Sequence, residues 1–177
     1  METIYKEPRE KRRRLVLYKN NILHDIDVLS YKLAETSIQG DVKDSVASDS
    51  EDALDGSVMG RLMDSREASL RKKLGFCLNE AEIFEVSNSS EPEEQYVYDF
   101  HLPVSFKDIE LKTAVSLMHD YLVKATLMDW YTHIGTTYGA ALSMDVLQLE
   151  SKVVDIFRKP GFVSHPEMIY WPSYRTR

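Results

Sequence analysis

The side chains that could do chemistry are few, and their spacing does not assemble a site. The five histidines are His24, His101, His119, His133 and His165. His119 and His133 fall in one helical segment but about four turns apart, roughly 20 Å at 1.5 Å per residue, so they cannot share a metal. The chain holds no H-E-x-x-H and no C-x-x-C. His24 stands next to Asp25 and near Asp27, on different faces of a helix. Cys77, the only cysteine, lies between Phe76 and Leu78 and reads as a buried, inert thiol with no histidine close in sequence. A single cysteine also excludes an intramolecular disulfide framework.

The remaining motifs fail in the same way. There is no Walker-type loop, no G-x-G-x-x-G and no G-x-S-x-G. Gly135-Thr-Thr-Tyr-Gly139 could cradle a phosphate, but a turn between two helices explains its glycines more simply. Asp49-Ser-Glu-Asp-Ala-Leu-Asp55-Gly56 resembles a calcium loop only faintly: its glycine is out of place and no glutamate closes the frame. The carboxylates cluster in loops, without a paired glycosidase-type arrangement. The expectation is therefore no enzyme activity, no metal and no cofactor.

Charge is the stronger signal. The chain has 177 residues, one domain's worth, and a net charge of −7. An acidic protein is a poor candidate for a free-standing nucleic-acid binder, whose affinity comes from neutralising phosphates. The charge is blocked along the chain: net +3 over 1–14, −5 over 37–57, +3 over 61–75 and −7 over 80–99. Alternating blocks suit contacts between neighbours as well as contacts within one copy. Lys11-Arg12-Arg13-Arg14, with Lys6 and Arg9, is the one basic cluster, and it fits an acidic patch on a neighbour or a nucleic-acid backbone. The apolar run after it, Leu15–Tyr18, is too short for a signal peptide, and no stretch reaches the roughly 18 apolar residues of a membrane span. A soluble protein of a reducing compartment is expected.

The elements that must carry these groups follow from periodicity. Leu15, Tyr18, Ile22, Ile26, Leu29 and Leu33 recur at helical spacing and predict a helix over 15–36. An Asp/Ser-rich acidic loop spans 37–57. Met59, Met63, Leu70, Leu74 and Cys77 predict a second helix over 58–75. Residues 81–102 read as a β-hairpin with an acidic tip, Tyr96, Tyr98, Phe100 and Leu102 sharing one face. Ser105 is placed to cap a long helix, 105–134, and a turn at Gly135 leads to an antiparallel helix, 140–159. The long helix carries two apolar stripes: Leu111 to Met128 on one face, and Val123, Leu127, Trp130 and Ile134 nearly opposite. Such a helix is central in its own fold or shared with another subunit. Residues 160–177 form an extended arm rich in aromatic side chains, which docks on its own domain or on a partner. The fold class is thus mainly α: a helical bundle with a small β-hairpin and extended N- and C-terminal arms, in one domain.

The segment Leu111-Lys-Thr-Ala-Val-Ser-Leu-Met-His-Asp-Tyr-Leu-Val-Lys-Ala-Thr-Leu-Met-Asp-Trp-Tyr131 resembles the long helix, ending in a Trp-Tyr pair, of many head–tail connector (adaptor or ring) proteins of tailed bacteriophages. The second antiparallel helix and the C-terminal arm extend the likeness over roughly residues 105–177. The acidic insert and the acidic hairpin depart from the smallest adaptors. The resemblance implies a structural virion protein that forms a homo-oligomeric ring, often a dodecamer, stacked on the portal or on another connector or tail protein. A neck of several stacked rings, as in crAss-like phages, is one such setting. DNA would pass through the channel without sequence recognition, and no membrane is involved. Arg12, Arg13, Arg14, Trp130, Phe162, Ile169, Tyr170, Trp171 and Tyr174 are the residues expected at contacts with neighbours. The other reading of the same features is a cytoplasmic protein–protein interaction module with a docking C-terminal tail.

Overall fold

The computed structural model describes residues 10–35, 58–78, 94–135 and 138–158. Their elements run β1 (Glu10–Tyr18), α1 (Lys19–Glu35), α2 (Val58–Leu74), β2 (Gln95–Pro103), α3 (Asp108–His133) and α4 (Tyr138–Phe157). The fold is mainly α, a helical bundle with one small antiparallel strand pair. The acidic loop 37–57, the first strand and most of the tip of the expected hairpin, and the arm 160–177 lie outside the described residues.

The helix expected from Leu15 begins instead at Lys19, and Leu15–Tyr18 belong to β1. Over four residues the stretch Leu-Val-Leu-Tyr fits a period of two as well as one of 3.6, and pairing decides between them. Leu15 faces Tyr98 and Leu17 faces Tyr96 across an antiparallel ladder. Both leucines are buried, whereas Tyr18, which the helical stripe would have made core, is 51% exposed. The strand ends where the Lys19 N–H donates to the Glu94 carbonyl at 2.8 Å.

β2 is the strand expected at 95–102, and Tyr96, Tyr98, Phe100 and Leu102 do share the buried face. Its ladder partner is β1, from the far N-terminal side of the chain. On its other edge Phe100 bridges Leu78, and the His101 N–H donates to the Cys77 carbonyl at 2.9 Å.

α3 is the central helix, packed on α1, α2 and α4. It starts at Asp108, three residues later than the expected 105, with the Lys107 N–H donating to the Glu110 carboxylate at 3.2 Å in place of a Ser105 cap. Ala114, Met118, Tyr121, Leu122 and Ala125 are buried on one side, and Val123, Leu127 and Trp130 on the other. The second stripe is therefore covered within a single copy. α4 returns antiparallel to α3: Phe106 stacks on Phe157, Lys124 pairs with Asp145, and Gly139 sits on Thr132. Gly135, at φ +75°, makes the turn with a backbone conformation that favours glycine.

The stripe of α2 holds as expected, with Met59, Met63, Leu70 and Leu74 at 1% exposure or less. Polar contacts lock the helix on both flanks. Tyr96 donates to Asp64 at 2.6 Å, and Arg71 donates to the Val97 carbonyl at 2.8 Å, which fixes α2 to β2. Arg66 with Asp129, and Lys73 with Glu150, fix it to α3 and α4. Three basic side chains of the block 61–75, Arg66, Arg71 and Lys73, are thus paired within the chain. An aromatic row, Tyr98, Phe100, Phe157 and Phe106, closes the sheet against the end of α4.

Candidate interaction surface

The arginines of β1 are largely committed to their own copy. Arg14 donates through Nε and Nη2 to the two oxygens of Asp99, at 2.9 and 3.1 Å, directly across the ladder. Arg13 donates to Asp108, the first residue of α3, at 3.1 Å. Asp99 belongs to the acidic block that the arginines were expected to meet on a neighbour. Arg12 is exposed opposite His101. Both ion pairs are open to solvent, so each contributes at most about 1 kcal/mol.

Trp130 lies in the interior at 7% exposure, with its ring 6.1 Å from that of His133. It is part of the core that α3 shares with its neighbours and is not a surface residue. Phe162, Ile169, Tyr170, Trp171 and Tyr174 lie outside the described residues.

The groups with reactive side chains are held in structural roles. Cys77 is 2% exposed, its thiol donates to the Leu74 carbonyl, and burial pushes its pKa up to about 12. Burial also raises the phenols of Tyr96, Tyr98 and Tyr121 above their usual range, with Asp64 adding to the effect at Tyr96 and Glu67 at Tyr98. His119 has Asp25 at 3.6 Å and Asp120 at 3.9 Å. Among the described residues no three His, Cys, Asp or Glu side chains come together as a metal site, and no helix is long and apolar enough to cross a membrane.

What the geometry leaves open is apolar surface. On α4, Met144 is 64% exposed and Leu147 is 60% exposed. With Ala140 and Ser151 they form a line at i, i+4, i+7 and i+11 on the outer face, free of charge for three turns. Leu142, Val146 and Val153, the stripe legible in the sequence, face inward. The second open feature is a groove of about 240 Å³ between α1 and α3. It is lined by the apolar Val28, Leu29 and Val123, of which Val28 is exposed, and by the charged Asp25, Lys32, Asp120 and Lys124. Sequence reasoning missed both. The signal for the first was the apolar residues at 140, 144 and 147 on a second face of α4. The groove has no local signal, because it exists only once α1 lies against α3.

No family model, curated protein or solved structure matches this chain. The functional reading therefore rests on the surface itself and on the resemblance of the α3 segment.

Proposed function

We propose that the chain is a structural subunit of a phage head–tail connector ring, bridging the portal or another ring to the tail around the DNA channel. The observation that carries this reading is the uncharged line of Met144 and Leu147 on α4, whose exposed apolar side chains add to Val28 and Tyr31 on α1 and Ile109 on α3. Exposed apolar side chains gathered on one face of a helix mark a protein–protein contact. Met144 and Leu147 lie on the antiparallel helix pair that carries the resemblance to connector proteins. α3 and α4 form a stiff body, pinned by Gly139 on Thr132 at one end and Phe106 on Phe157 at the other. A net charge of −7 on each subunit suits a channel through which DNA slides, because like charges repel and leave no specific hold.

The reading is tested by locating the protein in phage particles. Antibody against the chain is expected to label the junction between head and tail. Label confined to the host-cell fraction, with none on particles, contradicts it.

A further inference from the structure

The line on α4 and the groove between α1 and α3 point away from each other. α1 packs against α3 beside Val123, where His119 approaches Asp25 at 3.6 Å. α4 covers α3 at Thr132, where a Cβ on Gly139 would come within 2.5 Å of the threonine Oγ1. Val123 and Thr132 are nine positions apart, which at roughly 100° per residue puts them half a turn out of phase. Around α4 itself, Asp145 reaches toward the groove's Lys124 at 2.7 Å. Met144 and Leu147 lie roughly 100° and 200° of helix away from Asp145, so the apolar line turns from the groove of its own copy.

The two features fit each other across copies. The lining of the groove holds two aspartates and two lysines, so its charge sums to zero. A lining of balanced charge with apolar side chains among it selects neither an anion nor a cation, but it accepts uncharged side chains. At about 240 Å³ the groove is smaller than the roughly 300–1,000 Å³ of small-molecule sites and is suited to the ends of one or two side chains. The α4 line offers two such ends, Met144 and Leu147, one turn apart and flanked by Ala140 and Ser151.

We infer that copies of this chain join head to tail, with Met144 and Leu147 of one copy seated in the α1–α3 groove of the next. The contact rests on the ring reading and gives it a geometry. It is heterologous, because one patch meets a different patch, and heterologous contacts propagate into a closed ring or an open filament and not into a two-fold dimer.

Engineered cysteines test the contact in the full chain. Cys77 does not compete, since it is buried and its burial holds the thiol pKa far above neutral pH. The variants are V28C, M144C and the double V28C/M144C, treated with a short bis-maleimide at neutral pH. Head-to-tail joining gives a ladder of covalent multimers from the double variant, dimers from an equal mixture of the single variants, and monomers from each single variant alone. Dimers from M144C alone mean a two-fold contact and overturn the inference. So does an assembly of normal mass in which the double variant and the mixture both stay unlinked. As a second reading, M144E/L147E is expected to weaken association at least tenfold with an unchanged circular dichroism spectrum. Unaltered assembly in that variant also overturns the contact. A wild-type chain that is monomeric at every concentration removes the ring reading itself, which particle mass reports separately from the cross-links.

Discussion

Gly139 packs against Thr132 with no room for a side chain between α4 and α3: a Cβ there would stand 2.5 Å from the Thr132 Oγ1 and 2.9 Å from the Met128 carbonyl oxygen. The carbonyl is backbone and cannot swing aside, so adding a methyl group must move the start of α4. Gly139→Ala is expected to cost about 1–3 kcal/mol, the usual penalty for overpacking a close contact. That lowers the melting temperature by about 2–4 °C for each kcal/mol. A calorimetric melt identical to that of the wild type would show that the two helices are not held this closely.

The strand at Leu15–Tyr18 gives neighbouring residues opposite fates. Leu17 is 4% exposed and Tyr18 is 51% exposed. Leu17→Ala is expected to destabilise by about 2–5 kcal/mol, as for other buried leucines. Tyr18→Ala is expected to cost less than about 1 kcal/mol, within the range of most surface changes. A continuous helix from Leu15 predicts the reverse order, so urea unfolding of the two variants separates the alternatives.

Glu67 interrupts the apolar stripe of α2, yet it is only 8% exposed. Arg71 donates to it from Nε at 2.9 Å and from Nη2 at 2.6 Å, and lies over the Tyr98 ring with the guanidinium carbon 4.6 Å from its centroid. Glu67→Ala leaves Arg71 half-buried without its carboxylate and is expected to cost about 1–3 kcal/mol. Replacing both residues by methionine is expected to cost less than the single change, because no charge is then left stranded. A double variant less stable than Glu67→Ala would mean that the pair stabilises more than apolar packing can.

The buried thiol and phenols make the fold sensitive to alkali. Cys77 has a folded pKa of about 12 against a usual value of 9.0, and Tyr96, Tyr98, Tyr121 and Tyr131 are all raised from 10.0. A raised pKa means that the folded state holds its proton more tightly than the unfolded chain. Stability is complete below the unfolded values near pH 9 and 10 and falls as pH rises from there toward 12. Urea midpoints should be flat from pH 7 to about 8.5 and then drop steadily. At pH 8, thiol reagents should label Cys77 only in urea. Rapid labelling of the native protein would contradict its burial.

The sequence was informative where one periodicity stood alone. The stripes of α2, α3 and α4 were legible because Met59 to Leu74, Ala114 to Ala125 and Leu142 to Phe157 repeat over many turns, long enough to exclude a strand. The buried face of β2 was legible from Tyr96, Tyr98, Phe100 and Leu102. The partner of that face was not, since the ladder joins Leu15 to Tyr98 across nearly half of the chain and nothing local marks such a pairing. The two-sided helix allowed a core or an interface; α1 packs against its second face and leaves Val123, 6% exposed, at the groove between them. Trp130 was misjudged for the same reason: an aromatic residue on a second stripe looks like an interface anchor until another helix of the same chain lies over it. The arginines were legible as a cluster but not as partners of Asp99 and Asp108, which only the folded chain brings near. Met144 and Leu147 were passed over because the inward stripe already accounted for α4.

The central claim is that one copy is not the finished object. The most direct measurement is the mass of the full chain in solution, by native mass spectrometry across micromolar concentrations, with images of the same sample. The account predicts a discrete multimer whose images show a closed ring with an open centre. A strict monomer of 20.5 kDa at every concentration would contradict it.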